Sequence, residues 1–154
     1  MGLSDLLRSE AIIPDSKAKS KKQVLQDIAE RAGSLCGIEP ATIFDVLLER
    51  ERLGTTGVGQ GVAIPHGKFD SLDRVIGLFL RLEKPIEFDA VDEKPVDLVF
   101  ALLAPNEAGA DHLKALARVS RLMRDQSVVE KLRGSQSAEA MHALLAADAK
   151  PHAA

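Results

Sequence analysis

Val96-Asp97-Leu98-Val99-Phe100-Ala101-Leu102-Leu103-Ala104, held between Pro95 and Pro105, is an almost uninterrupted apolar run. A strand with one face in water alternates apolar and polar residues, whereas a run without alternation suits a central strand covered on both faces. Working outward, residues 75–82 are rich in β-formers and aliphatics, and residues 85–88 read as a short second strand. Glu83 and Lys84 join the two, which predicts a hairpin around residues 83–85. Near the N-terminus, residues 3–7 form a short apolar turn, and Ile12, Ile13 and Pro14 are expected to lie against the sheet.

Helical patterns stand on both sides of these strands. Ser20 with Gln23 resembles a capping box, and Val24, Leu25, Ile28, Ala32 and Leu35 recur at helical spacing, so a helix is predicted over 21–36 with Gly37 as its stop. Pro40 suits the first turn of a second helix, whose apolar face is Ile43, Phe44, Val46, Leu47 and Leu48 and whose natural end is Gly54. Beyond the central run, Asp111 is the expected cap of a third helix with Leu113, Leu116, Ala117, Ser120 and Met123 on one face. Ser127 with Glu130 repeats the capping-box pattern before Val128, Val129 and Leu132, with Gly134 as the stop. Ser137 opens a last helix to about residue 146. Helices flanking a hydrophobic set of strands define the fold class as α/β: a single layered domain over residues 4–146, with a mixed β-sheet flanked by helices on both faces. Residues 147–154 read as a flexible C-terminal tail. Strand order is open beyond the predicted hairpin.

Composition narrows the function. A chain of 154 residues with 45% hydrophobic and 28% charged residues is an ordinary globular domain, not a long disordered segment. Trp and Tyr are absent and the net charge is −3, which argues against a nucleic-acid partner. Cys36 is the single cysteine, so it forms no internal disulfide; it reads as a packed thiol in a reducing compartment. No basic-then-apolar leader opens the chain, and no apolar run reaches the ~20 residues that span a bilayer. The expected location is cytoplasmic, without membrane insertion.

Residues 54–69 read Gly-Thr-Thr-Gly-Val-Gly-Gln-Gly-Val-Ala-Ile-Pro-His-Gly-Lys-Phe and hold five of the eleven glycines. Such clustering marks backbone that turns sharply or approaches something closely. Exposed N–H groups there would form a nest for an anion, and a neutral imidazole beside them is a nucleophile for a phosphoryl group. A glycine-rich connection into a short buried strand, with His66 as its polar end, accounts for the same residues, and taken alone the stretch leaves both readings open. Two known phosphate motifs fail. One residue too many separates Gly61 from the Gly67-Lys68 pair, and Phe69 stands where a P-loop needs Ser or Thr. Val62 stands where a dinucleotide fingerprint needs its last glycine.

The run Gly61-Val-Ala-Ile-Pro-His-Gly-Lys68 resembles the phosphorylation-site motif of the IIA proteins of the bacterial phosphoenolpyruvate-dependent phosphotransferase system, in the fructose/mannitol and nitrogen-regulatory family. The order of elements is similar over residues 4–146. The resemblance implies that His66 is the phosphorylated nucleophile of a histidine-to-histidine transfer that needs neither cofactor nor metal. His112, in Asp111-His-Leu-Lys-Ala-Leu116, is similar to the family's second active-site histidine, with a role in orientation or phosphoryl stabilisation. An ordinary polar residue of a first helical turn is the other account of it. Arg50 and Arg52 both suit the C-terminal end of a helix dipole, and the resemblance points to Arg50 for charge stabilisation. His142 and His152 read as solvated. The implied donor is an HPr-type phosphocarrier protein. The implied recipients are regulatory target proteins or a IIB component. A one-domain chain without an attached transport segment, together with the character of residues 85–105, favours the nitrogen-regulatory branch over a sugar-specific (fructose/mannitol-type) component.

Overall fold

The computed structural model describes residues 6–147. The apolar run is strand β6 (Val96–Pro105), and Leu98 to Ala104 are all buried, so layers cover both of its faces. The other strands are β1 (Ile12–Ser16), β2 (Gly57–Gly59), β3 (Val62–Ala63), β4 (His66–Phe69) and β5 (Ile76–Ile86). They form a six-stranded mixed sheet in the order β1-β5-β6-β3-β2, with β4 also on β6. β5 runs antiparallel along one edge of β6. Along the other edge β3 and β4 lie parallel to it in one continuous register, Val62 opposite Leu98 and His66 opposite Leu102. Between them Pro65, which has no N–H to donate, offers its carbonyl to the Leu102 amide at 2.9 Å. The predicted α/β layering is therefore present, and Ile12 and Ile13 belong to the sheet as the edge strand β1.

The predicted hairpin at 83–85 is absent. β5 runs through Glu83, Lys84 and Pro85 to Ile86, and the turn into β6 is made by residues 87–95. Pro85 misleads because it lies where the β5–β6 register shifts between Arg81 and Ile86, and a bulge asks no ladder bond of it.

Among the described residues five helices longer than a single 3₁₀ turn complete the domain: α1 (Lys21–Cys36), α2 (Pro40–Leu53), α3 (Ala110–Leu122), α4 (Gln126–Gly134) and α5 (Ala138–Ala147). α1 starts as predicted, with the Gln23 amide donating to Ser20 Oγ at 3.2 Å; the Gln23 side chain returns a bond to Lys19 N, one residue before the box position. Gly37 ends it with φ 79°, and Cys36 packs half-buried against the core as a free thiol. α2 follows its pattern, burying Ile43 and Leu47. α3 departs from its own. Gly109 occupies the cap position and Asp111 caps nothing, while the buried face is His112, Ala115, Val119 and Leu122, one residue earlier than the apolar count; Leu113 is 67% exposed. The predicted α4 also shifts, because Asp125 accepts from the Ser127 and Val128 amides and starts the helix before Ser127 can. Ser137 caps α5 as expected, its Oγ accepting from Ala140 N at 3.1 Å.

Arg81 ties these layers together. Its guanidinium donates to the carbonyls of Leu132, Arg133 and Ser135 at the end of α4 and to Pro14 O of β1. His142, expected in solvent, is half-buried and bonds the Leu7 carbonyl through Nε2 at 2.9 Å, fastening α5 to the start of the described chain. His152 and residues 148–154 lie outside the described residues.

Candidate active site

The glycine stretch folds as a β-hairpin leading into a strand. Gln60 and Gly61, the two turn residues between β2 and β3, have φ of 58° and 82°, the positive pair that a type I′ turn demands. Its amides are not an open anion nest. Gly54 N donates to Glu51 O, Gly57 N to Thr55 Oγ1 and Gln60 N to Asp92 Oδ2, so the fold itself uses them. Arg133 grips the turn from α4, pairing with Asp97 at 2.8 Å and donating to Gln60 O. Gly67 serves close approach: a Cβ there would stand 2.7 Å from Val46 Cγ1 of α2, so the missing side chain lets α2 press on β4 beside His66.

His66 begins β4 and is held by its own backbone. Nδ1 lies 2.9 Å from Ile64 O, and a carbonyl accepts only, so Nδ1 carries the proton and the lone pair sits on Nε2. The ring's proton affinity lies below the ordinary value of 6.5, first because burial disfavours the cation and also because Arg50 is positive; the Ile64 bond and Glu51 act in the other direction. His112 comes from the first turn of α3, its ring centroid 5.8 Å from that of His66 and tilted by 50°. It is only 5% exposed, and Nδ1 is buried with no hydrogen-bond partner among the described residues. Burial, then His66 and Lys68, keep it neutral to lower pH than a free histidine. Two neutral imidazoles thus face each other.

Arg50 lies in the last turn of α2, where Nη1 donates to Gly54 O at 2.8 Å, and among the described residues it makes no ion pair. Arg52 points elsewhere, to Glu49 at 2.6 Å. The fold therefore brings together the three residues picked from sequence, Arg50, His66 and His112, and leaves Arg52 out. It adds two that the sequence reading passed over. Lys68, two residues after His66, acts electrostatically on His112. Glu51, 8% exposed, accepts from Thr56 N at 3.1 Å and from the Thr56 hydroxyl, and pairs with Lys21 of α1 at 3.1 Å. One signal for Glu51 was present: a carboxylate in a helix's last turn opposes the dipole and needs another reason to be there.

An imidazole with a protonated inner nitrogen, a free outer one and a guanidinium close by suits phosphoryl transfer, and the kinship of the chain agrees. It belongs to the EIIA 2 family of the phosphoenolpyruvate-dependent sugar phosphotransferase system, whose family model matches residues 5–148. It is 56% identical to a nitrogen regulatory protein of Bradyrhizobium diazoefficiens over 146 residues, 95% of each chain. It is 41% identical to a nitrogen regulatory protein of Escherichia coli K12, over 93% of this chain and 88% of that one. The crystal structure of nitrogen regulatory protein IIA-Ntr from Neisseria meningitidis superposes with a TM-score of 0.89 at 36% identity, covering 93% of this chain and 98% of its own. The protein is a phosphotransferase component of that family.

Proposed function

We propose that His66 accepts a phosphoryl group on Nε2 from a phosphohistidine of an HPr-type carrier, and that its phosphorylation state is a nitrogen-regulatory signal read by target proteins. The observation that carries this reading is the 2.9 Å contact of Nδ1 with Ile64 O, which leaves Nε2 as the nucleophile. In the transfer the Nε2 lone pair forms the new N–P bond as the donor's N–P bond breaks, and the departing donor imidazole recovers the electron pair. No proton has to move. Nδ1 keeps its hydrogen, still bonded to Ile64 O, so the product ring is cationic and remains a good leaving group for onward transfer. The loose transition state spreads charge over the equatorial oxygens, and catalysis is positioning with charge stabilisation. Arg50 supplies positive charge and His112 a nearby hydrogen-bonding ring. The regulatory branch is favoured over a sugar-specific component by the two relatives named nitrogen regulatory protein.

Incubation with phosphoenolpyruvate, enzyme I and an HPr-type carrier is expected to label the protein once, at His66, with an acid-labile and alkali-stable bond; His66→Ala takes no label. Because burial first, and Arg50 next, hold the ring's proton affinity below the ordinary value of 6.5, acceptance declines on acidification only at lower pH than it would for an ordinary histidine. Label on Ser or Thr, or label surviving in His66→Ala, defeats the proposal.

A further inference from the structure

Glu51 stands directly after Arg50 yet is 8% exposed and turned inward. Both Thr56 bonds fasten the chain just as it leaves α2 and enters the glycine hairpin, while Arg50 bonds Gly54 O two residues earlier. The last turn of α2 thus grips residues 54–56 from two sides, and Ile64, whose carbonyl orients His66, returns its own amide to Thr56 O at 2.9 Å. Thr56 is the link between Glu51 and the nucleophile's hydrogen bond.

A buried carboxylate beside a guanidinium ought to capture it, since the attraction between unlike charges grows as water is excluded. It does not do so here, because Lys21 reaches Glu51 from α1 at 3.1 Å. Lys21 is held in place by Phe88, whose ring centroid lies 4.8 Å from Nζ, and by Asp89 at 3.4 Å. The charged or titratable groups around the site are then Lys21 from α1, Arg50 and Glu51 from α2, Lys68 with His66 from β4, His112 from α3 and Asp89 from the 87–95 turn. Among them Lys21 and Glu51 neutralise each other.

Resting on the phosphocarrier reading above, we propose that Glu51 is a positioning residue of the transfer site: through Thr56 it fixes the strand that orients His66, and its pairing with Lys21 leaves Arg50 free for the phosphoryl group. Lys21 keeps the carboxylate off Arg50. Neither residue touches the reacting atoms.

The test uses the full chain in single-turnover transfer from phosphorylated HPr-type carrier, with a thermal melt on each variant. Lys21→Met keeps the stem over Phe88 but releases Glu51 to Arg50, and is expected to slow labelling of His66 by about 10-fold or more, short of the ~10²–10³ lost with a direct transition-state donor. Adding Glu51→Gln removes the competing charge while its Oε1 still accepts from Thr56 N and its Nε2 donates to Thr56 Oγ1 in reversed direction, so the double variant should recover to within about 3-fold of wild type. Should Lys21→Met not fold, Lys21→Gln carries the same comparison. A His66 ring titration by NMR, which needs no phosphoryl donor, should move upward in Lys21→Met and return in the double variant. Wild-type transfer in a folded Lys21→Met, or a double variant no faster than the single, overturns the proposal while leaving the phosphocarrier reading intact. A wild-type protein that never takes label overturns both.

Discussion

The two facing imidazoles, His66 and His112, differ in how their nitrogens are partnered. His66 Nδ1 has the Ile64 carbonyl, whereas His112 Nδ1 is buried with no partner among the described residues. Leaving a buried polar atom unpaired costs roughly 1–3 kcal/mol, and such a cost persists at functional sites where the atom serves something other than stability. His112→Leu, apolar and similar in size, is therefore expected to melt at a higher temperature than wild type while transferring phosphate about 10²-fold more slowly, the usual loss of one transition-state donor. A single-turnover assay beside a calorimetric melt checks both halves. A folded variant that is less stable yet transfers at the wild-type rate would make His112 a packing residue alone. Both rings were legible in the sequence, since each lies in a motif; Glu51 was marked only by its unfavourable place in the last turn of a helix, which does not say that an acid between Arg50 and Arg52 points inward.

At the level of elements, the helices bounded by a cap side chain and a glycine stop could be read at their ends, and those defined by tertiary contact could not. α1 is the first kind, with Ser20 at one end and Gly37 in the left-handed region at the other. α4 shows how close the competition is. Asp125 and Ser127 are both good caps, and Asp125 wins with bonds of 3.0 and 3.4 Å to the Ser127 and Val128 amides. Asp125→Ala is expected to cost about 1 kcal/mol, read as a lower denaturant midpoint with an unchanged m-value; a loss below about 0.3 kcal/mol would show that Ser127 takes over the cap and α4 begins later. α3 was misread by one residue for a chemical reason: its buried face includes His112, which an apolar count passes over in favour of the exposed Leu113. Pro85 likewise marks a bulge inside β5 rather than a turn, a distinction that depends on the register of β6 opposite it.

Over the whole molecule the layering was legible and the strand order was not, because β1-β5-β6-β3-β2 is fixed by pairings distant in the chain, such as Ile12 with Phe79 and Val62 with Leu98. The central place of β6 was legible, since its unbroken apolar run admits no exposed face. His66 begins the strand bonded to this bar. β3, Pro65 and β4 share one register along β6, with Leu102 N bonded to Pro65 O and the Asp97 and Leu98 amides both bonded to Gly61 O. Reactive groups commonly sit in segments that open at little free energy, ahead of the rest of the fold. Here the backbone beside His66 can open only by parting from the centre of the sheet. In hydrogen-exchange terms, the Leu102 amide should exchange only through global unfolding, with the protection of the slowest amides in the protein, and phosphorylation should leave that protection unchanged. Exchange of Leu102 through a cheaper local opening would contradict this. On the phosphocarrier reading proposed above, the site would then be a fixed post rather than a lid, ready before the donor arrives and unaltered in its backbone after the donor leaves.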